Sequence, residues 1–318
     1  MNKPKIFFFG NEQLAQGLER AITPTFEGLI SGGYEICALI LPSENTKKPL
    51  RIAEVAATHG VPVFYMRNST EILDLVREKS PDVGVLASFG KIIPQSVIEA
   101  FPLGILNIHP SLLPKYRGTT PIESAILNGD EKTGVSVMQL VREMDAGPVF
   151  AQEEVRLSGT ETKQELYERL ADVGAKMLLE VLGNVVLGYN ALSSRKNEQA
   201  LFRSSPCVVK NTETPMMQDE TQATFTKMLF KKDGRIEPEK YSATEIERQI
   251  RAYAGFPKSK YEFFGLPCTV TRGCVGTEAQ TELDLKCSDG KYIRIERLIP
   301  AGRKEMSATD FLRGYAKK

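Results

Sequence analysis

The sequence predicts an α/β domain built on a doubly wound, parallel-type sheet, followed by a smaller, OB-like β-barrel. Apolar runs alternate with helical patterns through the first 190 of the 318 residues, as expected for strands joined by crossover helices. Within this region Asp82–Phe89 is apolar at nearly every position, which is typical of a parallel strand buried on both faces. In the last quarter of the chain, short alternating runs separated by turn signals predict the barrel.

Local signals place the elements of the first domain. Thr23–Gly33 contains Pro24 and three glycines, which predicts a loop. Ser69 is the predicted N-cap of the third helix. In chain order we predict strand Lys5–Phe9, helix Glu12–Arg20, strand Glu35–Leu41, helix Ile52–Thr58, strand Val61–Tyr65, helix Thr70–Lys79, strand Asp82–Phe89, helix Pro94–Ala100, a strand from Ile105, helix Pro121–Leu127, strands Gly134–Leu140 and Gly147–Gln152, and helix Thr162–Leu187.

A change of composition separates this domain from the rest. Tyr189–Thr221 is rich in Ser, Asn, Thr, Pro and Glu, which predicts a linker. We therefore predict a first domain at 1–189, a linker at 190–222 and a second domain at 223–318. The second domain should contain helix Thr244–Tyr253 and strands Tyr261–Phe264, Cys268–Thr271, Leu283–Cys287 and Tyr292–Ile295.

Composition indicates a globular protein of a reducing compartment. Hydrophobic residues make up 42% of the chain, charged residues 25%, and the net charge is +1. The apolar patch Ile6–Phe9 is too short for a signal peptide, and no run of 18 apolar residues predicts a membrane helix. Five cysteines without a C-x-x-C spacing argue against a disulfide framework or a zinc site. We expect a cytoplasmic monomer without membrane contact.

The most informative stretch is Ile105–Gly118, in which an apolar run ends in a proline-containing loop. Asn107 and His109 lie two residues apart and should project from the same face of the strand. Ligands bind at the carboxyl ends of strands in open parallel sheets, and there an amide beside an imidazole suggests a hydrogen-bond donor paired with a general acid/base. Taken alone, the pair could also be a turn-forming asparagine and a structural histidine.

The surrounding residues carry a resemblance to a known family. Residues 105–140 read ILNIHPSLLPKYRGTTPIESAILNGDEKTGVSVMQL, and Asp145-Ala146-Gly147 comes shortly after them. Together they resemble the catalytic domain of the 10-formyltetrahydrofolate-dependent formyltransferases, closely over residues 80–155 and loosely over the first 190. The resemblance implies 10-formyltetrahydrofolate as co-substrate, Asn107, His109 and Asp145 as the catalytic residues, and a folate site lined by Ser111, Leu112, Leu113 and Pro114.

The second half indicates which amine accepts the formyl group. Lys227–Tyr253 and Glu296–Leu312 are similar to the start and end of the C-terminal domain in family members that act on methionyl-initiator-tRNA. Residues 201–318 hold 21 lysines and arginines against 16 acidic residues, which is compatible with a polyanionic partner. The family's longer basic loop after the second strand is short here. The resemblance implies tRNA contacts by Lys47, Lys48, Arg51, Lys231, Lys232 and Arg235.

The implied chemistry is attack of an amine on the formyl carbon. Asn107 would donate a hydrogen bond to the tetrahedral oxyanion, and His109 would handle the proton, because an ordinary histidine pKa lies near neutrality. Asp145 would orient the imidazole, and no metal ion is required. Two alternatives stay open: a formyltransferase acting on the amine of a sugar nucleotide, and an RNA-binding protein with an inactive transferase domain.

Overall fold

The first 193 residues form a seven-stranded sheet covered by helices on both faces. The computed structural model describes residues 3–13, 15, 17–42, 50–66, 68–193 and 215–316. The strands of this sheet are β1 (Lys5–Phe9), β2 (Glu35–Leu41), β3 (Val63–Tyr65), β4 (Val83–Leu86), β5 (Ile105–His109), β6 (Lys132–Gln139) and β7 (Val149–Arg156). The helices are α1 (Pro24–Ser31), α2 (Arg51–Thr58), α3 (Ser69–Lys79), α4 (Gln95–Ile98), α5 (Pro121–Asn128) and α6 (Lys163–Ser193).

The strand order is β3-β2-β1-β4-β5-β6-β7. Strands β1 to β5 run parallel, whereas β6 and β7 are antiparallel to their neighbours. Alternate residues of β1 enter two different cores: Phe8 packs with residues of α1 and α6, and Phe7 and Phe9 pack with residues of α3 and α4. This double burial explains the continuous apolar runs, and it confirms the predicted doubly wound domain.

The prediction was wrong between β1 and β2, where the helix comes later. The described residues among 12–20 (12, 13, 15 and 17–20) form no helix, and α1 occupies the stretch predicted as a loop. Pro24 is at the first helical position, where its missing N–H costs nothing. Glu12 adopts a left-handed φ of 57°, and its buried carboxylate accepts hydrogen bonds from the N–H groups of Thr25 (2.8 Å) and Phe26 (3.0 Å). A carboxylate distant in sequence therefore caps α1 and favours this helix over the earlier one.

Smaller corrections concern where elements begin and end. The N-cap of α3 is Asn68, not Ser69, because the Asn68 side chain accepts a hydrogen bond from the Glu71 N–H at 3.0 Å. β4 ends at Leu86, three residues before the predicted Phe89. Soon after it, Ser88 adopts a left-handed φ of 55°, which turns the chain out of the sheet. The first correction is local, because Asn68 directly precedes Ser69 and asparagine is an equally good N-cap residue.

The longest helix, α6, packs its apolar stripe onto the sheet. Leu166, Leu170, Met177 and Val181 are buried in the larger core, so the predicted helix is confirmed, and it extends to Ser193. In the described parts of the chain, no helix combines the length and the apolarity needed to cross a membrane. Residues 194–214, which include Cys207 and most of the predicted linker, lie outside the described residues.

The elements of the second domain are α7 (Ala243–Ala252), β8 (Ser259–Phe263), β9 (Leu266–Gly276), β10 (Leu285–Lys286), β11 (Tyr292–Pro300), β12 (Met306–Ser307) and α8 (Ala308–Tyr315). Its sheet has five antiparallel strands in the order β10-β11-β9-β8, with β12 paired to β11. This half-barrel confirms the predicted fold class of the second domain. A capping box between Ser242 and Glu245 begins α7, whose Ile246 and Ile250 pack in the barrel core. The final helix α8 was not predicted.

The two sheets are joined by tight contacts at the turn that comes after α7. A Cβ added to Gly255 would lie 1.6 Å from the Gly17 carbonyl oxygen, so this backbone crossing excludes any side chain. The Lys163 ammonium donates to the Phe256 carbonyl at 2.8 Å and lies 3.6 Å from the Glu123 carboxylate. Both charged side chains are 1% exposed. A buried ion pair of the first domain therefore supports the contact with the second domain through Phe256, and loss of either charged partner should destabilise the fold.

The Glu12 cap predicts a dependence of stability on pH. Burial raises the Glu12 pKa from its ordinary value of 4.5 to about 7. The folded chain therefore keeps a proton that the unfolded chain releases between about pH 4.5 and 7, so the free energy of unfolding falls as pH rises through that window. Between pH 5 and 8 we expect this fall to be larger in wild type than in Glu12→Gln by on the order of 2 kcal/mol.

Urea unfolding of both proteins at the two pH values measures the difference. Glu54→Gln is the control, since it alters an exposed carboxyl in the first turn of α2. The control should show the wild-type pH dependence. Parallel pH dependences for wild type and Glu12→Gln would contradict the raised pKa of the buried Glu12 carboxyl.

Candidate active site

The end of β5 brings two polar side chains into a buried position. Asn107 is 5% exposed and His109 is 4% exposed. The strand is paired on both sides, with Leu86 of β4 opposite Asn107 and Ser136 of β6 opposite His109. Both residues therefore lie on a strand that is hydrogen-bonded to a neighbour on each side.

The loop after β5 returns to hold the His109 ring. The Nε2 atom of His109 lies 2.9 Å from the Tyr116 carbonyl oxygen. Because a carbonyl only accepts, Nε2 carries the hydrogen, which leaves Nδ1 as the free nitrogen of the neutral ring. Tyr116 adopts a left-handed φ of 61°, an uncommon conformation for a bulky residue and one that is found mainly where the surroundings enforce it.

Asp145 approaches the same ring from the turn between β6 and β7. Its Oδ2 lies 3.6 Å from His109 Nδ1 and accepts a hydrogen bond from the Gly118 N–H at 2.8 Å. The first distance is too long for a hydrogen bond, but it is short enough for a carboxylate to stabilise an imidazolium. The turn is tightly constrained, because a Cβ on Gly147 would lie 1.8 Å from the Gln139 carbonyl oxygen. The structure thus brings His109 and Asp145 together, and Asn107 lies two residues before His109 on the same strand.

An extended segment after the undescribed residues completes the site, and sequence reasoning missed it. Residues 216–227, here called the strap, lie along the loop after β5. The Arg117 N–H donates to the Thr224 carbonyl, and the Thr226 N–H donates to the Arg117 carbonyl, both at 2.8 Å. The Tyr116 N–H donates to the Thr224 hydroxyl at 2.8 Å. Residues 216–222 of the strap were predicted to belong to the linker and residues 223–227 to the second domain, and neither prediction gave a signal for these contacts.

The predicted folate loop is divided between buried and partly exposed side chains. Ser111 is buried, and its hydroxyl donates to the Lys115 carbonyl. Leu113 packs against Met138, whereas Leu112 and Pro114 are half-buried. Leu112 and Pro114 are therefore the members of this loop whose side chains reach the surface, and the role of the loop in folate binding stays a prediction.

The predicted tRNA-contacting cations are scattered over the surface. Arg51 is exposed at the start of α2 and forms an ion pair with Glu27 at 3.4 Å. Lys231 and Lys232 are exposed on a 3-10 turn, and exposed Arg235 comes directly after it. Lys47 and Lys48 lie outside the described residues. Among the residues that the structure describes, no group of three or more His, Cys, Asp or Glu side chains is placed to hold a metal ion.

Comparison with known sequences shows similarity along almost the whole chain. Residues 44–182 match the family model described as formyl transferase, and residues 228–316 match the one described as formyl transferase, C-terminal domain. A methionyl-tRNA formyltransferase from Roseiflexus castenholzii is 32% identical over 92% of this chain and 92% of its own length. One from Dehalococcoides mccartyi is 32% identical over 99% of this chain and 96% of its own.

Solved structures share the fold at lower identity. HypX from Aquifex aeolicus in complex with tetrahydrofolic acid matches 100% of this chain, with a TM-score of 0.62 and 15% identity. This chain spans 48% of the length of HypX. Glycinamide ribonucleotide transformylase 1 from Symbiobacterium toebii matches 68% of this chain and 95% of its own, with a TM-score of 0.50 and 20% identity. These matches support the architecture of both sheets.

Proposed function

The chain belongs to the formyl transferase family, and from this premise we propose that it transfers a formyl group from 10-formyltetrahydrofolate to the amino group of methionyl-initiator-tRNA. The observation that carries the proposal is the similarity to methionyl-tRNA formyltransferases, which runs through both domains and covers 92% or more of this chain and of the Roseiflexus and Dehalococcoides relatives. This substrate is used in translation initiation, so the proposal places the protein in the cytoplasm. The division into 1–189, 190–222 and 223–318 is part of the proposal.

In the proposed reaction, the methionyl amine attacks the formyl carbon and the folate N10 leaves. Asn107 donates its side-chain N–H to the developing oxyanion, an interaction whose loss typically costs about 3 kcal/mol of transition-state stabilisation. The free Nδ1 of His109 accepts the proton that the amine must lose, and the imidazolium then gives this proton to the folate N10 as the bond between N10 and the formyl carbon breaks. The Asp145 carboxylate, 3.6 Å from that nitrogen, stabilises the imidazolium that forms. The scheme uses no metal ion.

The proposal assigns the two substrates to different parts of the chain. The folate binds at the loop from Ser111 to Pro114, where Leu112 and Pro114 are the partly exposed side chains. The tRNA body binds the second domain, with its phosphates near Lys231, Lys232 and Arg235. Lys47, Lys48 and Arg51 are assigned to phosphates of the acceptor arm. The Glu27 carboxylate, 3.4 Å from Arg51, partly offsets the attraction of this arginine for a phosphate.

The first alternative, a sugar-nucleotide amine as acceptor, uses the same three catalytic side chains and therefore differs only in the substrate. The purified protein is incubated with 10-formyltetrahydrofolate and either methionyl-initiator-tRNA or an amino-sugar nucleotide. We expect formylation of the tRNA-borne methionine, detected by mass spectrometry after release of the amino acid, and no formyl sugar. Formylation of the sugar alone would refute the proposed acceptor.

The second alternative is an RNA-binding protein without transferase activity. Removal of a side chain that the proposed reaction requires, but that RNA binding does not, distinguishes this alternative from the proposed enzyme. We expect His109→Ala to lower kcat about 10²- to 10⁴-fold, because general acid/base residues contribute on this scale. The affinity for tRNA should be unchanged, since the buried ring makes no surface contact. Steady-state kinetics and filter binding measure the two quantities.

The chain offers a matched control for this experiment. His59 is the other of its two histidines, and it is exposed at the C-terminus of α2. His59→Ala should therefore keep wild-type kcat. A His109→Ala protein with full turnover would contradict the assigned role.

A further inference from the structure

We propose that Gln218 and Arg117 are positioning residues, which hold the turn of Asp145 at the spacing from His109 that proton transfer requires. The inference rests on the proposed function and deepens it. It assigns a catalytic purpose to the strap, whose first part, residues 216–222, was predicted only as a linker.

Gln218 connects the Asp145 turn to the loop after β5. Its Nε2 donates to the carbonyl oxygens of Asp145 (2.7 Å) and Gly147 (2.8 Å). Its Oε1 accepts from Nε (3.0 Å) and Nη2 (2.8 Å) of Arg117. Both donors and both acceptor sites of the carboxamide are thus used. One side chain therefore fixes the distance between two loops that contribute to the site.

Among the described residues, the hydrogen-bond partners of the Arg117 side chain are all on the strap. Its Nη1 and Nη2 donate to the two carboxylate oxygens of Glu220 at 2.8 and 2.7 Å, a bidentate pair of defined geometry. Together with the bonds to Gln218, these contacts bring partners to all three guanidinium nitrogens. The strap also pairs with the Arg117 main chain through Thr224 and Thr226.

The two peptide groups that flank Arg117 are those that reach the catalytic side chains. On one side, the Tyr116 carbonyl accepts the hydrogen bond from His109 Nε2 at 2.9 Å. On the other side, the Gly118 N–H donates to Asp145 Oδ2 at 2.8 Å. A shift of Arg117 would therefore move the supports of the imidazole and of the carboxylate together. Gln218 opposes such a shift because it binds both the Arg117 side chain and the Asp145 carbonyl.

Burial argues against a role of these side chains in binding substrate directly. Arg117 is 2% exposed, so its charge is not accessible to a phosphate of tRNA or to a carboxylate of folate. The Gln218 amide has no hydrogen-bonding capacity left for a ligand. Their effect on the reaction must therefore act through His109 and Asp145, and it should appear in kcat rather than in KM.

Gln218→Glu tests the proposal with an almost isosteric change. The variant keeps an acceptor for Arg117, but it loses both donors and places a carboxylate against two carbonyl oxygens. We expect kcat for formylation of methionyl-tRNA to fall roughly 10- to 100-fold, since misplacement of a catalytic group by about 1 Å costs on this scale. The KM for each substrate should stay within about twofold of wild type, since both substrates bind elsewhere.

Gln222→Glu is the matched control, because it makes the same change on the same strap. Gln222 is exposed, and its side chain bonds only Asp219 within the strap. We expect wild-type kinetics from it. A folded Gln218→Glu protein with kcat within twofold of wild type would overturn the proposal. A loss of activity that comes only from a raised KM for tRNA would also overturn it.

Hydrogen exchange separates this proposal from the proposed function. The Gly118 amide donates to the Asp145 carboxylate of the other loop, and the Ala146 amide donates to the Glu143 carbonyl within its own turn. Both amides should exchange faster in Gln218→Glu than in wild type. If wild type formylates neither acceptor, the proposed function fails, while exchange still tests the connection between the loops. Unchanged exchange at both amides would refute that connection.

Should Gln218→Glu fail to fold, Gln218→Asn gives the same test. It keeps both amide functions on a side chain that is one methylene shorter, so it cannot reach Arg117 and the Asp145 carbonyl at once. We expect at least a tenfold loss of kcat with unchanged KM. Wild-type kcat in this variant would equally overturn the proposal.

Discussion

The hydrogen bond between His109 and the Tyr116 carbonyl is the constraint on which the candidate active site depends. It directs Nδ1 toward Asp145 and makes that nitrogen the free proton acceptor of the neutral ring. To provide the carbonyl, the loop after β5 must reverse at a left-handed Tyr116. The same reversal presents the Gly118 N–H to the Asp145 carboxylate. One loop conformation thus orients the imidazole and fixes the acid beside it.

The surrounding fold restricts that loop from three sides. Below it, β5 is paired with β4 and β6, so Asn107 and His109 start from a rigid part of the sheet. Beside it, the Ser136 hydroxyl of β6 donates to the Ser111 carbonyl at 2.6 Å and accepts from the Leu113 N–H at 3.1 Å. Above it lies the strap. A left-handed residue costs of order 1 kcal/mol or more, and such residues persist where several contacts over-determine them.

Periodic features of the chain were predicted correctly from sequence, whereas features that depend on distant residues were not. The double burial of β4 and the placement of Asn107 and His109 at a strand end were predicted from local sequence pattern, and both agree with the structure. The position of α1 was wrong, because its cap is a Glu12 carboxylate that reaches the helix through tertiary structure. The strap was missed for the same reason. Its polar residues look like those of a linker, and only the folded chain shows that Gln218 meets Arg117 and Asp145.

In the proposed mechanism His109 and Asp145 act as a single functional unit, and a double-mutant cycle on kcat tests this most directly. Turnover is measured for wild type, His109→Ala, Asp145→Asn and the double variant under saturating substrates. Residues that act as a unit show strongly non-additive losses. We predict that the double variant is no more than about tenfold slower than the slower single variant. Losses that multiply in the double variant would show that the two side chains act independently, and would contradict the mechanism.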